Sequence, residues 1–365
     1  MKPKLNTTKT LALIMSALFI MAVCSIDKVY SLPEVDEVQN GSAEFVYADA
    51  NTMIITASDK AIVNFKSFDI MENERVTINL PNSSSEMLNR VTGPNASYIM
   101  GSLSSNGRIF LVNPNGVNIG PNAQITAVSV VISTRNLTNT NFLSSQYIFE
   151  KLASTQIDKL IKNQGVIEVS EGGFGVLIAG AVENDGRIIA PVGTVAIATG
   201  DMVRLDVSSN GMISIAIEQA VASQIMDENG NPVTDQIRNT KNGRLEANGG
   251  HVVLKAESIS DIFTKAINLD GVVRADKVEM KDGVVRILSS KEVEVKADIS
   301  ASKIEIGSPD EAVPTRIDLI GAKIVANGQG ISIIAKGDIN TTATITAIDS
   351  NVYLTADYDL DNVGE

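Results

Sequence analysis

Beyond its first residues, apolar positions in this chain come mostly in short blocks of about four to six, either alternating with polar ones or running together, and Gly, Asn or Asp bounds many of them. Ile109-Phe110-Leu111-Val112 is one such block; it runs into Asn113-Pro114-Asn115-Gly116 and leaves as Val117-Asn118-Ile119-Gly120. Pro fixes its own φ and Asn-Gly tolerates positive φ, so the four residues predict a tight turn between two short strands. Gly175-Val176-Leu177-Ile178-Ala179, Gly193-Thr194-Val195-Ala196-Ile197 and Gly250-His251-Val252-Val253-Leu254 read as further strands. No 3.6-residue stripe competes over most of the chain. The exception is Tyr147 to Lys162, where Leu152, Ile157, Leu160 and Ile161 fall at loose helical spacing with Glu150, Lys151 and Lys159 outside. That spacing predicts a short helix against the strands; the alternative is another strand with a long polar loop.

Beyond residue 160 one phrase returns: Asn163-Gln164-Gly165, Asn184-Asp185-Gly186, Asn210-Gly211, Asn242-Gly243 and Asp270-Gly271, followed by apolar residues directly or, after Gly186 and Gly243, beyond one Arg. The glycines at 165, 186, 211, 243 and 271 are 21, 25, 32 and 28 residues apart. Periods in this range mean stacked supersecondary units, and two or three short strands with their turns fill one period. The expected fold is all-β: a right-handed parallel β-helix, a solenoid in which each repeat is one coil, with capping strands at its N-terminal end. Phe263 is the one Phe after residue 200, so aliphatic stacks must fill the distal core. The less repetitive segment from about 32 to 160 supplies the cap.

The Asn113–Gly116 turn stands among other recognisable segments. Upstream are Ala61-Ile62-Val63-Asn64-Phe65-Lys66-Ser67-Phe68-Asp69-Ile70, then Val76 to Leu80, then Leu88-Asn89-Arg90-Val91; downstream are Val131 to Leu137 and Asn141-Phe142-Leu143. In this order and rough spacing the set resembles the secretion domain of filamentous-haemagglutinin-type exoproteins of two-partner secretion. The resemblance covers about Leu32 to Asp206. It departs from the family pattern at Phe65, where Trp is usual, and in lacking a second Asn-Pro-Asn motif. It implies a protein secreted or displayed at the cell surface, with an adhesin- or haemagglutinin-like role, exported through the periplasm and outer membrane of a Gram-negative-type cell. Its partner would be a dedicated outer-membrane β-barrel transporter, and Asn113, Pro114, Asn115 and Gly116 would be the secretion motif, supported by Phe68, Asn89, Arg90 and Val91. The domains expected are 1–31 as signal peptide, 32–206 as the secretion domain and 207–365 as its β-helical continuation.

The N-terminus fits an exported chain. Lys2, Lys4 and Lys9 precede an uncharged run from Leu11 to Cys24, the layout of a secretory leader. At about 15 apolar residues the run is shorter than the about 20 a membrane span needs, which argues against stable membrane insertion. Cleavage is expected after Ser31 or Ser25; lipidation at Cys24 is disfavoured by Val23, where small residues are the rule. Removing residues 1 to 31 takes away Lys2, Lys4, Lys9, Lys28 and Asp27 and moves the formal charge from −13 to −16. A surface of that sign is repelled by nucleic acid. Cys24 is the single cysteine, so neither disulfides nor thiolate chemistry is expected beyond the leader.

Candidates for chemistry are few. His251, the single histidine, begins a strand after a turn, and without companions it reads as a solenoid residue and not a base or metal ligand. A β-helical polysaccharide-cleaving or polysaccharide-binding protein is the main rival, and Asp201, Arg204 and Asp206 come nearest to its machinery. Strand alternation puts Arg204 and Asp206 on one face and Asp201 on the other, the pattern of a solvated strand and not a carboxylate cluster. Asp227-Glu228-Asn229-Gly230-Asn231 with Asp235 gathers oxygen ligands without matching a known calcium spacing, and an exposed hairpin tip explains it. No cofactor, metal or enzymatic activity is expected. The partners implied are the transporter and a host or neighbouring-cell receptor or carbohydrate; a bare secretion module without cargo is the remaining alternative.

Overall fold

Each coil is made of short strands that bond to their counterparts one coil earlier, because a strand of about five residues has too few polar partners within its own coil. The computed structural model describes residues 32–153, 158–208, 213–259, 262–276 and 282–358; the leader, its cleavage sites and Cys24 lie outside them. One face climbs in parallel register from Thr52–Ala57 through Arg75–Asn79, Ser102–Ser105, Gln124–Ala127, Val166–Val169, Arg187–Ile189, Arg244–Glu246 and Val272–Ala275. A second climbs from Ala61–Ser67 through Glu86–Val91, Arg108–Val112, Ser129–Ser133, Phe174–Ala179, Thr194–Thr199 and His251–Ala256 to Val284–Ser289. The long strands Ile299–Ile306 and Lys323–Ile334 continue both faces. The third face runs from Ser97–Ile99 to Ile339–Thr341. The chain is a parallel β-helix, and Val, Ile, Leu and Ala of successive coils fill its interior.

The two strands at its N-terminal end run the other way. Glu34–Asn40 lies antiparallel on Ala61–Ser67, and Ala43–Asp49 antiparallel on Thr52–Ala57, closing the edges of the first coil. Phe65 anchors the cap, with ring centroids 6.4 Å from Phe45 and 5.0 Å from Phe68.

The recurring glycine phrase is explained by contact and not by backbone angle. A Cβ on Gly186 would stand 2.2 Å from Gly165 O, and one on Gly271 would stand 2.2 Å from Gly243 O. Gly193 and Gly250 form a second column, where a Cβ would come within 1.9 Å of the glycine carbonyl in the coil before. Asparagines stack inside: Asn163 and Asn184 of the phrase, then Asn239, which stands three residues before the exposed Asn242. Asn163 Nδ2 donates to Asn184 Oδ1 and Asn184 Nδ2 to Asn239 Oδ1, both at 2.7 Å, and all three residues are fully buried.

Two corrections follow. Arg187 stacks directly on Arg244, so the steps of 25 and 32 residues belong to one long coil. Asn210-Gly211 lies outside the described residues, between Met202–Val207 and Ile213–Gln219, which pair as a hairpin. The helix expected over Tyr147 to Lys162 is not found among the described residues of that span, from which 154–157, with Ile157, are excluded. Its described residues form the strands Tyr147–Glu150, Asp158–Lys159 and Ile161–Asn163, because Tyr147 and Phe149 face an apolar surface at strand spacing. The one α-helix among the described residues is Asn139–Leu143, capped by Thr138.

The two long coils, Gln124 to Val166 and Arg187 to Arg244, extrude segments that find each other. Asn136–Leu137, Tyr147–Glu150, Met202–Val207 and Ile213–Gln219 form a four-stranded antiparallel outer sheet. It covers the outside of the second face. There the outward column reads Ile62, Leu88, Phe110, Val131, Val176, Ala196 and Val253 under or beside the cover, then Arg286, Glu305 and Ser332 beyond it.

Candidate functional site

The resembled segments converge on one corner. Ala61–Ser67, Glu86–Val91, Arg108–Val112 and Ser129–Ser133 are consecutive strands of the second face, and the Asn113–Gly116 turn leaves the third of them. Gly116 N–H donates to Asn113 O at 3.1 Å, and Asn113 Oδ1 accepts Asn115 N–H at 2.9 Å. With Asn first, Pro second and Gly fourth, this is the sequence signature of the common type I turn. Gly116 has φ +107°, whereas Asn115 keeps negative φ. The positive φ expected of the Asn-Gly pair is therefore needed at Gly116 alone.

The corner is stitched to its neighbours on both sides. Asn113 is fully buried, and its Nδ2 donates to Asn95 O and Ser97 Oγ, each at 3.0 Å. Asn115 Nδ2 donates to Gly93 O at 2.9 Å, and Gly93 is packed so closely on the previous coil that a Cβ would stand 2.0 Å from Lys66 O. On the following side Asn113 N–H donates to Ser133 O, and a Cβ on Gly116 would stand 3.0 Å from Lys159 Cβ. Pro114 and Asn115 stay partly exposed. Their corner thus has a surface as well as a packing role.

The supporting residues divide by position. Phe68 and Val91 lie in the core. Asn89 is buried and donates to Phe110 O at 3.3 Å. Arg90 points outward: Nη2 donates to Leu137 O at 2.5 Å and Nη1 to Asn64 Oδ1 at 3.3 Å. It ties the coil to the first strand of the outer sheet, and burial lowers its pKa. Nearby, Glu86 accepts from Lys60 Nζ at 2.5 Å and from Tyr147 OH at 2.6 Å and pairs with Arg108 at 3.3 Å. Burial, together with the bond to Glu86, pushes the Tyr147 hydroxyl pKa well up. Lys60 Nζ also stands 4.7 Å from the centroid of the Phe142 ring.

None of the candidates for enzymatic chemistry assembles with another. Arg204 and Asp206 share the exposed face as expected, 3.4 Å apart, while Asp201 turns inward to Arg135. His251 lies half-buried beside Arg286, and burial first, then that charge, lowers its pKa. In the Asp227 loop the carboxylate accepts the backbone N–H groups of Asn229 and Asn231 and the Asn231 amide, so it holds the turn itself. Among the described residues no group of three or more His, Cys, Asp or Glu side chains could hold a metal ion.

Reading the sequence missed the outer sheet and its anchors Lys60, Glu86, Arg135 and Tyr147. A signal existed: Ser129–Ser133, Phe174–Ala179 and Thr194–Thr199 are apolar or small on both faces, whereas His251–Ala256 alternates. Strands buried on both sides need a cover on each.

The chain is thus a capped solenoid with an outer sheet laid over its first coils. Residues 31–306 match the family model of the TPS secretion domain, and the chain belongs to that family of two-partner secretion exoproteins. The crystal structure of the HMW1 secretion domain from Haemophilus influenzae superposes with a TM-score of 0.69 at 25% identity, covering 88% of this chain and 90% of that one. Two heme/hemopexin-binding proteins of Haemophilus influenzae are similar in sequence. One is 29% identical over 81% of this chain and 33% of its own length; the other is 34% identical over 37% of this chain and 15% of its own. The chain therefore spans a third or less of those relatives. As a two-partner-secretion exoprotein it is exported through the outer membrane and is secreted or held at the cell surface. No helix among the described residues is long and apolar enough to cross a membrane.

Proposed function

We propose that the Asn113–Gly116 corner is the feature on which export of this exoprotein depends, because it fixes the register of the first coils as they emerge. One observation carries this reading: the turn bonds to the preceding coil at Asn95, Ser97 and Gly93 and to the following one at Ser133. A solenoid grows by adding coils to a formed edge. Each coil that buries its apolar face outside the cell then opposes back-sliding. In this scheme residues 1–31 are the leader, 32–206 direct export and 207–365 extend the solenoid. Past export, the protein acts by attachment and not by catalysis. Its ligand is a host or neighbouring-cell receptor or a surface carbohydrate; the relatives named for binding heme and hemopexin support a binding role, not this choice of ligand. The test co-expresses the chain with its cognate pore, measures protein in the medium, and then measures binding of the purified chain to cells before and after glycan removal. Undiminished export of turn variants would defeat the first part. Turnover of a polysaccharide, or no binding to any cell, would defeat the second.

A further inference from the structure

Arg135 heads the large side chains that are fully buried among the described residues, and nothing in the export reading uses it. It follows Ser129–Ser133, and its guanidinium reaches along the stack of coils. Nε donates to Gly200 O at 2.8 Å; Nη1 pairs with Asp158 Oδ1 at 2.8 Å and Nη2 with Asp201 Oδ1 at 3.0 Å. Ser133 stacks on Ile178 and Ile178 on Ala198, so Gly200 belongs to a coil two steps beyond that of Arg135. Gly180 in the coil between leaves the path open, since a Cβ there would stand 2.5 Å from Nη2. Lys151 completes the group: its Nζ is 3.1 Å from Asp158 Oδ2, and its backbone N–H donates to Asp201 O at 2.7 Å. Asp201 Oδ2 accepts Ala222 N–H at 3.0 Å.

The geometry points to Arg135 as a latch that joins three coils and the outer sheet into one cooperative block and closes when Gly200-Asp201 arrives. Solenoid coils ordinarily stabilise only their nearest neighbours, whereas this side chain skips one. The group holds two cations and two carboxylates, so its charge balances only with all four present, and a buried charge without its partner is strongly unfavourable. A chain that has emerged only as far as Thr199 carries Arg135, Lys151 and Asp158 with one positive charge in excess. It also leaves Phe110, Val131 and Val176 without Met202–Gln219 as cover. Between residues 135 and 201 the emerging chain thus has no stable resting point, and passing Asp201 commits it to the folded side. The timing rests on the export reading; the latch itself does not.

Hydrogen exchange on the purified chain tests the latch without a pore. Asp201→Asn keeps the shape and removes the late charge. The expected result is exchange at least tenfold faster at Tyr147–Glu150, Phe174–Ala179 and Met202–Val207 together, with Val284–Ser289 and Ile317–Leu319 unchanged. Arg135→Lys, which keeps the charge but cannot span both carboxylates and Gly200 O, should give the same grouping, and Arg204→Ala on the exposed face should change nothing. Faster exchange confined to the neighbours of residue 201, or spread equally over every coil, or loss of the whole fold in either variant, would overturn the latch, because a block-specific device leaves the distal coils standing. With the cognate pore, Asp201→Asn should reach the medium more slowly than wild type, and an equal rate would refute the timing. If the pore fails to export wild type, the export reading falls while the exchange result still decides the latch.

Discussion

Replacing Asn115 by Ala separates the packing role of the corner from its role in export. The substitution removes the Asn115 Nδ2 bond to Gly93 O at 2.9 Å, and with it a long, weak one to Asn113 Oδ1 at 3.4 Å, from a residue that is partly exposed. The first is worth about 1 kcal/mol. In a chain this long that shifts the thermal midpoint by about 2 °C. Gly116→Val is harsher: it places a β-branched residue at φ +107° with Cβ 3.0 Å from Lys159 Cβ, at about 1–3 kcal/mol. Against the finished solenoid both losses are small. During export the comparison differs, because when the corner forms Lys159 has not yet arrived and only the first coils support it. The same energy is then a large share of what holds the emerged segment outside. Protein in the medium with the cognate pore should fall several-fold for Asn115→Ala, while the refolded variant melts within about 2 °C of wild type. Equal secretion, or a secretion loss matched by an equal loss of refolded stability, would refute the reasoning.

Asn184→Leu breaks the middle of the asparagine ladder and strands the amides of Asn163 and Asn239; a loss of about 3 kcal/mol in urea unfolding is expected, against less than about 0.5 for exposed Asn340→Ala. Gly193→Ala, whose Cβ would meet Gly173 O at 1.9 Å, should cost more than about 3 kcal/mol, while Gly172→Ala, at φ +75° with open space around it, should cost about 1; the reverse order would mean that backbone angle and not coil contact selects these glycines. His251 has its folded pKa below the ordinary 6.5, so the unfolded chain takes up the proton first and stability falls as pH drops below 6.5; His251→Gln should flatten the midpoint there, and an unchanged slope would remove His251 as its source. A chain ending at Ile259 should leave a protease-resistant core that includes the outer sheet, whereas one ending at Asp206, which lacks Ile213–Gln219, should lose protection of Tyr147–Glu150 first; equal resistance would show that the hairpin is dispensable.

What the sequence made legible was whatever repeats. Asn163-Gln164-Gly165 and Asn184-Asp185-Gly186 are adjacent coils because each glycine touches the carbonyl of the last, and that contact admits one residue type. The corner was legible for a similar reason, since Asn113, Pro114 and Gly116 each meet a separate local demand. Where two different geometries share one signal, reading failed. Asn210-Gly211 has the residue types of a coil turn, but the described strands before and after it, Met202–Val207 and Ile213–Gln219, pair with each other antiparallel, and hairpins favour the same residue types. Leu152, Leu160 and Ile161 fall at helical spacing, yet the described residues around them are the strands Tyr147–Glu150, Asp158–Lys159 and Ile161–Asn163, and Ile157 lies outside the described residues.

The outer sheet is the part that the period hides, and it changes how the stability of the chain is distributed. Coils that touch only their neighbours would let the solenoid fray from either end in small steps. The column from Ile62 to Ala196 instead lies beneath strands contributed by two insertions far apart in sequence, so these coils cannot open singly without exposing Phe110, Phe142, Phe149 and Phe174 together. Beyond Val253 the same column turns to Arg286 and Glu305, paired at 2.6 Å, and the outer cover is no longer needed. If the chain is threaded N-terminus first, as proposed above, the part that emerges first is the part with two cores, and it gains its strongest resistance to reversal before the plain coils follow.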